Sequence, residues 1–72
     1  MKINNIGSNM TEVEMKNGSI LVSYSTPVAA NIEGRFYKTA KKWSVTTSKH
    51  INKWLSGAKA EVKEQEYFDN LI

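Results

Sequence analysis

The sequence of 72 residues contains no cysteine, one proline and one histidine. Without cysteine there is neither a disulfide framework nor a thiolate metal site, and the chain fits a reducing compartment. A single histidine excludes a histidine pair for zinc, and the chain has no glycine-rich phosphate loop and no nucleophile elbow. No apolar run approaches the length of a membrane span, and Met1-Lys2-Ile3-Asn4-Asn5-Ile6-Gly7 lacks the apolar core of a signal peptide. These absences predict a soluble, cytoplasmic, non-enzymatic protein with no metal, no cofactor and no membrane partner.

The most pointed absence is local. Between Gly34 and Ala60 there is no acid, yet seven cations fall there: Arg35, Lys38, Lys41, Lys42, Lys49, Lys53 and Lys59, with Phe36, Tyr37, Trp43 and Trp54 among them. Residues 1–34 sum to −1, residues 35–59 to +7 and residues 60–72 to −3. Basic charge interleaved with aromatics suits an acidic or nucleic-acid partner. The same composition also describes a strand, turn and helix whose polar face is basic, with the acidic tail folded back against it.

Seventy-two residues make one domain with a small core. Residues 1–9, rich in Asn, Ser and Gly, are expected to be a flexible lead-in, and residues 10–72 the domain. Asn17-Gly18 is a type I′ turn signal. Centring the turn there pairs Met15 with Ile20, Val13 with Val22 and Thr11 with Tyr24 in a hairpin over 10–25. Val13, Met15, Ile20, Val22 and Tyr24 then share one face, opposite Glu12, Glu14 and Ser23, with Leu21 the apolar exception. Pro27 interrupts the second strand. Val28 to Ile32 resumes as a strand, Glu33-Gly34 turns, Arg35 to Thr39 returns, and Lys41 to Thr46 adds a short strand.

Thr46-Thr47-Ser48 supplies helix N-caps. Ile51, Trp54 and Leu55 form one apolar face, and Gly57 stands at the helix C′ position. These signals predict a helix over 47–56, then a strand at 60–63. A closing helix over 64–72 would bury Tyr67, Phe68, Leu71 and Ile72. The fold class is α+β, a small antiparallel meander of three to five strands with both helices on one face.

The candidate sites are few. His50 lies about 40° round the helix from Trp54 and reads as a boundary histidine with a local hydrogen bond, because no nucleophile or carboxylate has helical spacing to it. Glu61, Glu64, Glu66 and Asp69 read as a solvated face rather than a metal site. Thr47, Ser48 and Lys49, at a helix start, make an anion-site candidate. The partner-binding candidates, for protein or nucleic acid, are Arg35, Tyr37, Lys38, Lys41, Lys42, Trp43, Lys49 and Lys53. Tyr37 and Trp43 are either core side chains or exposed stacking platforms.

The stretch Ser23-Tyr24-Ser25-Thr26-Pro27-Val28-Ala29-Ala30, followed by Lys42-Trp43-Ser44-Val45-Thr46-Thr47-Ser48-Lys49-His50-Ile51-Asn52-Lys53-Trp54-Leu55, resembles a small uncharacterised protein family common in bacteriophage genomes. Gly34, Tyr37-Lys38-Thr39 and Gln65-Glu66-Tyr67-Phe68-Asp69 extend the resemblance over roughly residues 19–70. The resemblance implies a phage-encoded protein acting in the bacterial host cytoplasm, and it brings no catalytic residues. The expected function is a non-catalytic accessory protein that binds a host or defence protein through its basic surface, as inhibitor or adaptor. A single-stranded nucleic-acid binder and a self-assembling structural protein are the alternatives, and a homo-oligomer is compatible with so small a core.

Overall fold

The computed structural model describes residues 2–71. In chain order the elements are β1 (Lys2–Gly7), β2 (Met10–Met15), β3 (Gly18–Ser23), β4 (Thr26–Ile32), β5 (Arg35–Thr39), α1 (Val45–Leu55), β6 (Glu61–Lys63) and α2 (Gln65–Asp69). The six strands form one sheet in sequence order. The first five make an antiparallel meander and β6 joins β5 in parallel, returning through α1. The architecture is α+β as expected, with six strands instead of three to five.

Four two-residue turns build the meander, at 8–9, 16–17, 24–25 and 33–34. The last is the Glu33-Gly34 turn read from the sequence, and both residues have the positive φ of a type I′ turn, 51° and 86°. The hairpin between β2 and β3 is present in a register two residues away from the expected one. Its turn residues are Lys16-Asn17, and Met15 pairs with Gly18, Val13 with Ile20 and Thr11 with Val22. Gly18 serves a different purpose from a turn glycine. It opens β3 against β4, where a Cβ would run into the Asn31 carbonyl oxygen. A shift of two keeps Val13, Met15, Ile20 and Val22 on their expected common face.

Tyr24, expected within the strand, is a turn residue with φ 59°, and its N–H donates to the Asn9 carbonyl at 2.8 Å. Pro27 sits near the start of β4, beside a register slip between Leu21 and Val22. The expected lead-in contains a strand: Lys2–Gly7 pairs along β2 as an edge. Its residues alternate poorly in polarity, so pairing with β2 defines it more than pattern does.

The sheet is covered on both faces, where one was expected. On one face Met10, Leu21, Val28, Ala29, Ile51 and Leu55 form a core under α1, with Phe36, Trp54 and Ala60 against it. On the other, Val13, Ile20, Ala30 and Phe68 form a second core under α2, joined by Met15, Val22, Ile32, Tyr37, Tyr67 and Leu71. Leu21, the apolar exception on the acidic face of the hairpin, is fully buried beneath α1.

Both helices differ in extent from expectation. α1 begins two residues early because Ser44 is the N-cap, its Oγ accepting from Thr47 N–H at 3.1 Å. Thr47 is thereby freed to face the sheet, where it is buried. The segment 41–44 is a loop, and no strand forms there. α1 ends at Ser56 in the left-handed conformation, followed by Gly57 with φ 87°. α2 has five residues, far shorter than 64–72; Phe68 is its buried anchor, Tyr67 and Leu71 are half-buried, and Ile72 lies outside the described residues.

Candidate functional site

β5 ends, and α1 and α2 both begin, at one end of the sheet. The β5–α1 loop crosses this end and carries Lys41, Lys42 and Trp43. Gln65, the first residue of α2, organises it. Its Oε1 accepts from Thr39 Oγ1 at 2.8 Å and from Trp43 Nε1 at 3.1 Å. Its Nε2 donates to the Pro27 carbonyl at 2.7 Å and to Asp69 Oδ1 at 3.0 Å. Both donors and both acceptor positions of this amide are thus in use. Thr39 Oγ1 in turn accepts from Lys41 N–H at 3.1 Å, which fixes the departure of the loop.

The two aromatic residues with open alternatives differ in their surroundings. Tyr37 is half-buried and packs against the α2-side core, its ring 5.5 Å from that of Tyr67. Trp43 is 42 % exposed, with Lys41 Nζ 4.2 Å from its ring centroid. Trp54 belongs to the core periphery, edge-on to Phe36 and donating to Glu12 Oε1 at 2.8 Å.

The cations divide as well. Lys38, Lys41 and Lys42 line one groove of about 240 Å³ with Ser48 and Asn52 of α1. Arg35 stands at the opposite end of β5, in a separate depression with Lys59 and Glu61. Lys49 and Lys53 are exposed on α1, and Lys53 lies in its last turn, away from the loop. The acidic tail does fold back against the basic strand, β6 lying beside β5 with Glu61 near Arg35 and Lys59, but it forms no ion pair with these cations among the described residues. Among the described residues the only ion pair is Lys63–Glu61 at 3.1 Å. Glu12 binds Trp54, Glu14 binds Asn4 and Asp69 binds Gln65. Lys63 lies over Tyr37 and Tyr67, and the hydrogen bond and charge of Glu61 raise its ammonium pKa.

The anion cradle expected at Thr47, Ser48 and Lys49 lacks its backbone donors. Thr47 N–H is taken by Ser44 Oγ and Ser48 N–H by the Ser44 carbonyl. These residues lie inside α1 because the cap sits at Ser44, upstream of the expected run.

His50 does make a hydrogen bond, but its partner comes from another element. Ser23 Oγ of β3 lies 2.8 Å from His50 Nδ1 and 3.1 Å from Thr47 Oγ1, to which Ser44 Oγ donates at 3.2 Å. A serine beside a histidine is a nucleophile–base pair in kind. Ser23 is 1 % exposed, so no substrate carbon can reach its hydroxyl, and the chain of hydroxyls ties α1 to the sheet. Sequence spacing could not show this contact, since residues 23 and 50 meet only through packing. Among the described residues no three His, Asp or Glu side chains gather to hold a metal, and no helix is long and apolar enough to cross a membrane.

Fold and site together define a small α+β domain with a helix packed on each face of a mixed six-stranded sheet. The chain belongs to a family of unknown function (DUF8033), whose model matches residues 1–70. This agrees with the resemblance to an uncharacterised family. No curated protein and no solved structure matches the chain.

Proposed function

We propose that this protein is a non-catalytic, phage-encoded accessory protein that docks an acidic surface of a host or defence protein onto the basic end of its sheet, acting in the host cytoplasm as inhibitor or adaptor. One observation carries the reading: Lys38, Lys41 and Lys42 converge on one groove with no carboxylate paired to any of them among the described residues. Three ammonium groups held together repel one another, and an acidic partner relieves that repulsion while steering association. Trp43 beside them is the kind of exposed aromatic that anchors interfaces.

The test is affinity capture from bacterial lysate with the native protein and with Lys41→Glu/Lys42→Glu. A defined host protein retained by the first and lost from the second is expected. The absence of any charge-dependent partner overturns the reading.

Trp43 also supports a second reading, single-stranded nucleic-acid binding, in which half-buried Tyr37, packed against Tyr67, would be the lesser platform. Oligonucleotide binding that weakens steeply with salt would establish it. The open outer edge of β1, with Ile3 68 % exposed, supports self-assembly instead, which sedimentation tests directly.

A further inference from the structure

The basic groove adjoins a second one. Lys42 and Ser48 line both, and the second, of about 220 Å³, is completed by Trp43, Ser44 and Val45. Two of its lining residues are apolar and uncovered, Trp43 at 42 % and Val45 at 74 % exposure, and they stand among Lys42, Ser44 and Ser48. α1 starts at this groove and has no acidic residue in its first turn, so the positive end of the helix dipole is left uncompensated. Positive charge and uncovered apolar surface therefore lie side by side at this end of the fold.

We propose that the two grooves together receive one short segment of a partner protein in which carboxylates flank a large apolar side chain. The carboxylates sit among Lys38, Lys41 and Lys42, and the apolar side chain lies between Trp43 and Val45. This rests on the reading of the basic end as a protein-docking surface and narrows the partner to an acidic–apolar segment. Val45 selects that class. Lysines and an indole serve a nucleic acid equally well, but an aliphatic wall offers a base no π-face, whereas it packs fully against a Leu or Phe side chain.

The two indole N–H resonances of the unaltered protein report the outcome by NMR titration. Three probes are used: an acidic peptide with one central Leu, the same peptide with Ser in place of Leu, and an oligothymidylate of equal charge. The Leu peptide is expected to bind about tenfold more tightly than the Ser peptide, since burying one aliphatic side chain is worth that much or more. It should shift the Trp43 resonance and leave Trp54 in place. Val45→Ser, at an exposed position, should lower Leu-peptide affinity to that of the Ser peptide and leave the latter unchanged. Equal affinities for the two peptides, or no effect of Val45→Ser, overturn the two-groove proposal while leaving acidic docking intact. Failure of both peptides, or tighter binding of the oligothymidylate, overturns both.

Discussion

The two faces of the sheet are closed by unlike devices. α1 has eleven residues, a serine cap and a left-handed exit, and it presents Thr47, Ile51 and Leu55 to the sheet. Hydroxyls and an indole tie it down, through Ser23 to Thr47 and His50 and through Glu12 to Trp54. α2 has five residues, too few for a helix to persist alone, and its Glu64 cap makes no side-chain hydrogen bond. It holds by one deep anchor, Phe68 at 0 % exposure, and by the Gln65 amide. The contrast teaches that a helix carrying its own start and stop signals can bury shallowly, whereas one without them must reach deep into the core.

The largest expected effect breaks the weaker device. Phe68→Ala should cost about 3–5 kcal/mol, most of what so small a domain has. Thermal melts followed by circular dichroism should show it more damaging than Leu55→Ala, and the reverse order would overturn the contrast. Gln65→Ala should cost about 1–3 kcal/mol, because it strips partners from Thr39, Trp43 and the Pro27 carbonyl. Urea unfolding measures the loss, and the Trp43 indole N–H should exchange faster. Ser23→Ala should cost about 1–2 kcal/mol on the α1 face by leaving Thr47 and His50 short of a partner.

The smallest effect concerns Lys63, whose pKa is raised above 10.5 chiefly by its hydrogen bond to Glu61. A raised cationic pKa contributes stability that is fully present below 10.5 and lost as pH rises through the raised value. The pair is exposed, so the contribution is slight. The stability difference between the native protein and Glu61→Gln should be steady near neutrality and vanish in strong alkali.

Local chemistry was the legible part of this fold. The Glu33-Gly34 turn, the apolar face of α1 and its exit at Gly57 are all decided within a few residues, and they stand where the sequence places them. Sequence pattern and structure part wherever a distant partner decides. Gly18 looks like a turn residue but answers to Asn31 on β4. Ser44 is the cap, while Thr47 within the expected cap run turns to Ser23 on the sheet. β1 has little pattern of its own and is defined by β2. Leu21 was the one visible sign that the sheet is covered twice. Of the candidate site, the charge was legible and its division was not. Periodicity puts Arg35, Tyr37 and Thr39 on one strand face, yet only packing shows Tyr37 set against Tyr67 while Lys38 joins the loop lysines.

The parallel pairing of β6 with β5 carries a kinetic consequence. Each hairpin of the meander closes across two residues, whereas β6 can pair only after residues 40–60 have looped back. The long-separation contacts are therefore concentrated in the last part of the chain, and the meander can zip first. During that interval Val13, Ile20 and Ala30 lie uncovered, because the side chain that seals them, Phe68, arrives with the final segment. Slow refolding at high protein concentration would then be the condition under which this protein is most exposed to aggregation, through a face that the finished fold hides.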